Sequence, residues 1–530
     1  MPNKNILLIE PGYKNKYPPL GLMKIAQYHG PEGKRDNVKF IKGPDKTVLD
    51  ICWDRIYVTT LFSFEWKKIS EAIDFAILAS GNQHNNVFVG GIAASLMHES
   101  FLQEPRWAGV RFIKGLLNEA PAKSLHLDNF QEELYSEDTA GLSIEDHIPD
   151  YSILPQVTYK YPVHDAYFAY ASRGCVRKCS FCGVPKLEGD LYETPSLTTI
   201  VRGIEKLYGP KKDLILMDNN IVASPKFRDI IAEIRDLGFT RGAKLKRGRT
   251  QVQRRVDFNQ GVDARILCKT PMFLRELASV CTDPLRIAFD HLGFKPMYET
   301  SVRYAYDVGL VALSNYMLYN FKDTPDDLYE RMWLNIQLNE ELKIRIFSFP
   351  MRYQPTDMKD RSHVGPNWNK YFLRSMQLIL HATHGIVSGA PAFFRRAFGS
   401  TAQEFKDLLV KPHKFIFNRD WFEELEGRPE LDQYEADFRS LSSGDRADLM
   451  QALSSFETKR TYEAARSSIT NSKVAKIFHF YEPITGGEEA AIWRRQKELR
   501  GVPPIEPVAV PDDQRVEDAG LDLDPVLDKI

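Results

Sequence analysis

The alternation of short apolar segments with helical segments is the feature that most restricts the fold of this 530-residue chain. Five apolar stretches, each bounded by Gly, Pro or Asp, lie at 5–11, 38–43, 55–62, 86–91 and 110–115. The amphipathic segment at 66–81 is typical of the helical segments between them. This alternation is typical of a parallel sheet with crossover helices. We predict an N-terminal doubly wound, Rossmann-like α/β domain over residues 1–120 and a linker over 121–164.

A second series of strand-like segments follows the linker, at 165–174, 213–220, 256–267, 284–293, 309–321 and 343–353. Helical segments separate them, and the helix expected over 323–342 has Thr324 to cap it and Pro325 in its first turn. Six repeats predict a partial (β/α)6 barrel over 165–355. Strand signals then fade, so we predict a mainly helical C-terminal region over 356–485 and a loosely ordered, Pro-rich and acidic tail over 486–530.

Composition narrows the function classes. Lys and Arg total 70 against 71 Asp and Glu, so the chain has no overall attraction for nucleic acid or anionic membranes. No stretch approaches the roughly 18 consecutive apolar residues of a membrane span, and the first apolar run is too short for a signal peptide. Six cysteines in this length do not form a secreted disulfide framework. We expect a cytoplasmic protein without a membrane partner.

Three of the cysteines form a cluster directly after the first strand of the second series. In "GCVRKCSFC", Cys175, Cys179 and Cys182 have the spacing C-x3-C-x2-C. Three thiolates can hold a four-iron four-sulfur cluster and leave one iron open to a further ligand. A structural zinc site is the alternative, but it needs four ligands and only His164 lies near in sequence. The single cysteines are expected in the core; they are Cys52, Cys268 and Cys281.

This motif, with Phe181 before its third cysteine, resembles that of the radical S-adenosylmethionine enzymes over about 165–355. The resemblance implies that Cys175, Cys179 and Cys182 hold a 4Fe-4S cluster whose open iron binds S-adenosylmethionine. One electron from the cluster then cleaves that cofactor to a 5'-deoxyadenosyl radical, which abstracts hydrogen from a substrate for methyl transfer or rearrangement. It also implies an electron donor such as flavodoxin or ferredoxin, and a place for Phe181 near the adenine.

The carboxyl ends of the predicted strands are expected to complete the cofactor site, because ligands of parallel sheets and barrels bind there. "LILMDNN" ends at Asp218 and Asn219, where members of the resembled family often have Gly-Gly-Glu. One of these two side chains would therefore bind the methionine amino group. The alternative is an Asx turn that only begins the next helix.

Two further strand ends carry candidate residues. "FNQGVDARIL" resembles a segment of cobalamin-type family members, which implies that Gln260 and Asp263 reach the cofactor and that Arg265 acts near the substrate. A structural Arg265–Asp263 pair is the alternative. "FDHLG" supplies Asp290 and His291 as catalytic candidates, although a purely structural histidine is equally consistent with the sequence.

The N-terminal segments "EPGYKNKYPPLG" and "VFVGGIAAS" resemble the cobalamin-binding-like domain that precedes the radical core in one branch of the superfamily. We expect their loops to face that core. No histidine occurs between Glu10 and Gln27, so the usual ligand beneath the cobalt is missing and cobalamin binding is left open.

The segment 241–255 carries seven cations and no carboxylate. We expect it near the barrel mouth, where it either binds phosphates of a nucleotide or RNA or forms a solvated flexible loop.

Three functions are therefore consistent with the sequence. The first is a radical enzyme acting on a small molecule or peptide. The second is an RNA-modifying radical enzyme similar in layout to the methylthiotransferases, although those have several cysteines in the N-terminal domain and this chain has only Cys52 there. The third is a non-enzymatic metal-binding module.

Overall fold

The N-terminal domain is a five-stranded parallel sheet in the order β2-β1-β3-β4-β5. The structure, a computed structural model, describes residues 3–117, 144–456 and 459–500. The strands are β1 (Asn5–Glu10), β2 (Asn37–Lys42), β3 (Arg55–Thr60), β4 (Val87–Gly91) and β5 (Arg111–Phe112), and the helices are α1 (Leu20–His29), α2 (Trp66–Ala79), α3 (Ile92–Leu96) and α4 (His98–Leu102).

Helices cover both faces of this sheet because both faces of its strands are apolar. Ile6 and Leu8 pack with α1 in one core, whereas Leu7 and Ile9 pack with α2 in another. Consecutive residues thus serve opposite faces, as the two-residue period of a strand requires. The predicted doubly wound domain is confirmed.

Two three-stranded parallel sheets follow, in the orders β12-β9-β6 and β13-β14-β15, and single parallel bridges from Val256 to Thr282 and from Val262 to Ile287 join them. This is the predicted partial barrel of six strands. The strands of this region are β6 (Ala166–Ala169), β7 (Ser172–Arg173), β8 (Tyr192–Glu193), β9 (Asp213–Leu216), β10 (Lys244–Arg247), β11 (Thr250–Gln253), β12 (Arg255–Phe258), β13 (Leu285–Arg286), β14 (Ala312–Tyr319) and β15 (Arg345–Arg352).

Seven helices accompany the barrel, and the capping of the last one is as predicted. Thr324 and Asp327 form a reciprocal capping box, with Pro325 at the first helical position. The helices are α5 (Val184–Leu187), α6 (Leu197–Tyr208), α7 (Phe227–Asp236), α8 (Ala264–Lys269), α9 (Met272–Ala278), α10 (Lys295–Asp307) and α11 (Pro325–Leu342).

The first four predicted strands of this region were too long at their carboxyl ends, and the third and fourth most of all. The chain leaves the sheet after Phe258, because Gly261 turns it with φ +84 and Asp263 caps α8. The stretch 284–293 contributes only Leu285–Arg286. The residues beyond these ends are therefore free to build a site.

The placement predicted for the basic segment was wrong. Residues 244–253 form an antiparallel hairpin of β10 and β11, with Gly248 in its turn. The hairpin leads directly into the first residue of β12, and Arg247 pairs with Asp165, which precedes β6. It therefore lies at the amino ends of the barrel strands and not at the mouth, because a connection that enters a strand meets its amino end.

Helices make up the C-terminal region, as predicted. They are α12 (Lys370–Ala382), α13 (Pro391–Phe398), α14 (Ala402–Val410), α15 (His413–Phe417), α16 (Arg419–Glu424), α17 (Arg428–Arg439), α18 (Ser443–Leu453), α19 (Lys459–Ser468), α20 (Ser472–Phe478) and α21 (Gly486–Leu499). The first three extend the barrel core, for example through Phe394 and Phe405. Helices α15 to α20 build a separate core around Tyr434 and Phe478, whereas α21 buries no residue.

The predicted loose tail begins instead with an ordered helix. A capping box between Thr485 and Glu488 starts α21, and residues 501–530 lie outside the described part of the chain.

Of the predicted core cysteines, Cys281 is buried and Cys268 half-buried, but Cys52 is exposed because it lies in the turn before β3. Within the described ranges, no helix combines the length and the apolar character that crossing a membrane requires.

Candidate functional site

The three clustered cysteines lie on one loop at the carboxyl end of β6. The loop is closed at its base by β7 and β8, where Ser172 pairs with Glu193. Gly174 has φ +72, and a Cβ at this position would lie 2.1 Å from the carbonyl oxygen of Asp190. Only glycine fits there. The amide of Cys175 then donates to the Gly189 carbonyl at 3.3 Å, which holds the start of the loop against its end.

Each sulfur of the loop has a hydrogen-bond donor beside it. The backbone amides two residues further along donate to the sulfurs of Cys175 and Cys182 at 3.3 and 3.5 Å. Burial raises the pKa of the Cys179 and Cys182 thiols; the positive charge of the nearby Arg265 guanidinium opposes that rise at Cys179, and the backbone amide opposes it at Cys182. Donors directed at sulfur are among the features by which proteins stabilise thiolate-bound clusters.

The chemistry of this donor set fits an iron-sulfur cluster. In the described ranges, no group of three or more His, Cys, Asp and Glu side chains is arranged to hold a metal ion. That arrangement concerns a single metal ion, whereas a four-iron cluster is bound by one thiolate on each of several irons, so its thiolates lie further apart. The three sulfurs of the loop are still close enough to one another to interact electrostatically. Three thiols also match the number that leaves one iron open.

Glu188 connects the cysteine loop to its surroundings. One carboxylate oxygen accepts from the Gly174 amide at 2.8 Å and from Asn219 Nδ2 at 2.7 Å. The other accepts from the Arg173 guanidinium at 2.9 Å. The side chain is only 7% exposed, so these bonds form in a low-dielectric setting. A single carboxylate therefore fixes both the residue before Cys175 and the end of β9.

Glu145, from the linker, extends this arrangement to the N-terminal domain. It pairs with Arg173 and with Lys24 of α1, the latter at 2.8 Å. Burial would raise the pKa of Glu145, but the two cations outweigh burial and hold it below its usual range. Lys24, Glu145, Arg173 and Glu188 thus form a buried row of alternating charges, which we call the charge row.

The end of β9 uses its three polar residues differently from the sequence-based expectation. Asp218 accepts from the amide of Ala171 and from Ser172 Oγ at 2.7 Å, and burial raises its pKa to about 6. Asn219 is bonded to Glu188. Asn220, which the sequence did not single out, places Nδ2 3.8 Å from the Cys175 sulfur, and its Oδ1 is buried with no hydrogen-bond partner among the described residues.

The end of β12 is held by arginines. Asp263 accepts from Arg265 Nε at 2.7 Å and from Arg177 Nε at 2.8 Å. Burial opposes ionisation of Asp263, but these bonds outweigh it and lower the pKa of the carboxyl. The structural Arg265–Asp263 pair considered from the sequence is present, and Arg177 ties the cysteine loop to the same carboxylate. Gln260 is exposed beside this pair.

The remaining candidates lie around the barrel mouth. Asp290 interacts with Arg265 and Arg331, and burial raises its pKa to about 6. His291 is exposed, and its Nδ1 accepts from a backbone amide two residues on at 2.9 Å. The ring of Phe181 packs edge to face on Phe321, with centroids 5.8 Å apart. Asp290 is thus near the thiols, whereas His291 faces solvent.

The carboxyl-end loops of the N-terminal sheet meet this mouth, as expected. Tyr17, after β1, donates to Asn259 Oδ1 at 2.6 Å. Leu96 of α3 packs so closely on Gly183 that an added Cβ would approach it to 3.0 Å. Lys359, after β15, reaches back to Glu104 at 2.9 Å. The cysteine loop therefore lies at the interface of the two domains.

A cavity of about 550 Å³ opens at the carboxyl ends of β1 and β2. Lys14, Lys42, Asp45 and Tyr159 are among its lining residues. Lys42 is bonded at 2.7 Å to Glu10, a buried carboxylate whose pKa burial raises. Ligands of doubly wound sheets bind at such strand ends.

Comparisons with known proteins give distant similarities. No protein-family model matches the chain. It is 26% identical over 221 residues to a protein of Synechocystis sp. named an uncharacterized methyltransferase, and the alignment covers 41% of this chain and 38% of that protein.

Two solved structures of TsrM, a radical S-adenosylmethionine methyltransferase from Kitasatospora setae, match at a TM-score of 0.43 and 14% identity over 67% of this chain. One, matched over 74% of its length, holds cobalamin and a 4Fe-4S cluster. The other, matched over 75%, holds tryptophan substrate and an S-adenosylmethionine analogue.

Proposed function

We propose that the chain is a radical S-adenosylmethionine enzyme whose 4Fe-4S cluster is held by Cys175, Cys179 and Cys182. The observation that carries the proposal is a loop of three thiols at a barrel strand end, two of them with a backbone amide donating to the sulfur and the third near the Arg265 guanidinium. When bound, the cluster would supply one electron to cleave S-adenosylmethionine to a 5'-deoxyadenosyl radical.

The surrounding side chains suit the binding of S-adenosylmethionine. The unpartnered Oδ1 of Asn220 is an acceptor for the methionine amino group, a role that the sequence suggested for Asp218 or Asn219. Phe181 offers a ring for the adenine, and Gln260 and Asp263 offer polar groups for the ribose. Burying an amide oxygen without a donor is costly, so a ligand that supplies one is stabilised.

Arg265, Asp290 and His291 are proposed to act on the substrate side. Arg265 has a raised pKa and so keeps its charge; it donates to Asp263 and lies near Cys179. The pKa of about 6 lets Asp290 hold or release a proton near neutral pH. His291, exposed at the same strand end, is free to reach a substrate that enters from solvent.

Methyl transfer to a small molecule or peptide is the proposed reaction class, and the relative named as a methyltransferase supports it. Cobalamin would then lie between the N-terminal strand ends and the cysteine loop. No histidine occurs between Glu10 and Gln27, so it would bind without a protein imidazole from that loop beneath the cobalt. An electron donor such as flavodoxin or ferredoxin would be needed.

Anaerobic reconstitution tests the proposal. The wild-type chain should bind four irons and four sulfides and release 5'-deoxyadenosine when reduced with S-adenosylmethionine. The variant lacking all three loop cysteines should lose both properties, whereas Cys52→Ala, at an exposed cysteine, should keep them. Full iron in the triple variant would contradict the proposal. Zinc in place of iron would favour the metal-binding module, and iron well above four would favour a second cluster, as in the RNA-modifying enzymes.

Asn220→Ala separates cofactor binding from cluster assembly. It should leave the iron content unchanged and weaken S-adenosylmethionine binding by about tenfold, the loss expected for one hydrogen bond of about 1.5 kcal/mol to a charged group. Spectral change of the reduced cluster on titration with the cofactor gives the affinity. An unchanged affinity would exclude Asn220 from the site.

A further inference from the structure

The hairpin of β10 and β11 has one face made of cations and amides. Lys244 lies opposite Gln253, and Lys246 lies opposite Gln251. Because alternate residues of a strand share a face, these four side chains lie together, and all four are exposed. We call residues 241–255 the basic ribbon.

The other face of the basic ribbon attaches it to the barrel. Leu245 and Val252 are half-buried, and Arg247 bonds Asp165 at 2.6 Å. At its base, Arg254 lies over the ring of Phe239 at 3.6 Å from the centroid and donates to backbone carbonyls that precede β9 and follow α7. The basic ribbon is therefore held in place, with its Lys and Gln side chains directed away from the barrel.

The exposed charge of the basic ribbon is mostly unneutralised. Five of its cations are exposed; they are Arg241, Lys244, Lys246, Arg247 and Arg249. Among the described residues, only Arg247 of these five has a carboxylate within ion-pair distance. On a chain of net charge -1, such a local concentration of positive charge attracts polyanions that the rest of the surface does not.

We propose that the basic ribbon docks the phosphodiester backbone of a duplex nucleic acid. A two-stranded ribbon is narrow enough to enter the major groove of B-form DNA, where Gln side chains can bond base edges, whereas on an A-form RNA duplex it would contact the backbone alone. Single strands are bound largely by stacking on aromatic rings, and residues 241–255 contain none. The basic ribbon lies at the amino ends of the barrel strands, away from the cysteine loop, so it tethers a partner and does not process it. The inference is independent of the proposed chemistry.

Fluorescence anisotropy with the anaerobically purified full chain tests the proposal. The probes are a labelled 20-base-pair DNA duplex, an RNA duplex of the same sequence and the matching single strand. If about four phosphates are contacted, log K should fall with log[salt] with a slope of roughly -3 to -4, which weakens binding about 100-fold between 50 and 200 mM salt. The two duplexes identify which nucleic acid is preferred.

Charge reversal locates the surface. The variant K244E/K246E/R249E should lose at least tenfold in duplex affinity at 50 mM salt and show a slope shallower by about 2 to 3. The matched control R439E/K473E/K476E changes the same charge at exposed sites of the C-terminal region and should bind like wild type. The proposal is overturned if no duplex binds at 50 mM salt, if both variants lose affinity equally, if the single strand binds more tightly than both duplexes, or if polyglutamate competes as well as unlabelled duplex.

Discussion

Removing one charge from the charge row tests whether it stabilises the cysteine loop. Lys24, Glu145, Arg173 and Glu188 are each at most 12% exposed, and their charges cancel. Glu188→Gln leaves one positive charge without a counterion in the interior. The bonds from Gly174 and Asn219 end on the same oxygen of Glu188, so the amide oxygen of a glutamine can keep both and the change is mainly electrostatic.

The expected cost follows from the burial of the pair. Breaking a buried ion pair by removing one partner costs about 3–5 kcal/mol. Glu188→Ala also leaves the Gly174 amide and Asn219 without their acceptor, which adds about 1–3 kcal/mol for each buried donor. We therefore expect both variants to be destabilised, and the alanine variant more than the glutamine variant.

Urea unfolding followed by tryptophan fluorescence and circular dichroism measures this cost, and the iron retained after reconstitution reports on the loop itself. Glu341→Gln is the control, because Glu341 pairs with Arg303 on the surface and such pairs contribute little. If Glu188→Gln unfolds at the same urea concentration as the control and retains full iron, the charge row does not position the loop.

Two further predictions use other parts of the structure. Gly174→Ala should prevent cluster assembly, because its methyl group would lie 2.1 Å from a carbonyl oxygen. The control Gly189→Ala is also at positive φ but has open space around it, so it should cost only about 1 kcal/mol of backbone strain and bind the normal amount of iron. Equal iron content in the two variants would refute the steric argument. Burial lowers the pKa of His413 to about 3, so the unfolded chain binds a proton first as the pH falls. This one group should reduce the free energy of unfolding by about 2.5 kcal/mol between pH 6 and 4. His413→Phe, which keeps a ring against Tyr371, should remove that part of the pH dependence of urea unfolding.

The fold could be predicted because its signals are local. Apolar runs such as Asn5–Glu10 and the capping residues around Thr324 report their own secondary structure. The strand ends could not be placed well, because an apolar run can continue past the last strand residue, as in the segment Ile287–Phe289 after β13. The hairpin after α7 was missed for a different reason: each of its strands has a single apolar residue, Leu245 or Val252, which is too few to reveal an alternation.

The candidate site was only partly predictable for a different reason. The residue type and spacing of Cys175, Cys179 and Cys182 indicate an iron-sulfur site, and this assignment stays a prediction. Glu188 and Glu145 give no such indication, because they act through partners far away in sequence, such as Lys24. Asn220 is distinguished from Asn219 only by the direction in which its amide points. Single-sequence reasoning identifies residue types that bind metals, but it does not identify the carboxylates that position them.

The two ends of the barrel differ in what surrounds them, and this difference constrains where a substrate enters. At the carboxyl ends, Tyr17 from the N-terminal domain reaches Asn259 across the mouth, and Leu96 packs on the cysteine loop. Lys359 then bonds Glu104 on the N-terminal domain. Under the proposed function, these contacts border the way from solvent to the thiols, so residues of the N-terminal loops and of the segment after β15 should affect substrate specificity as strongly as the barrel itself.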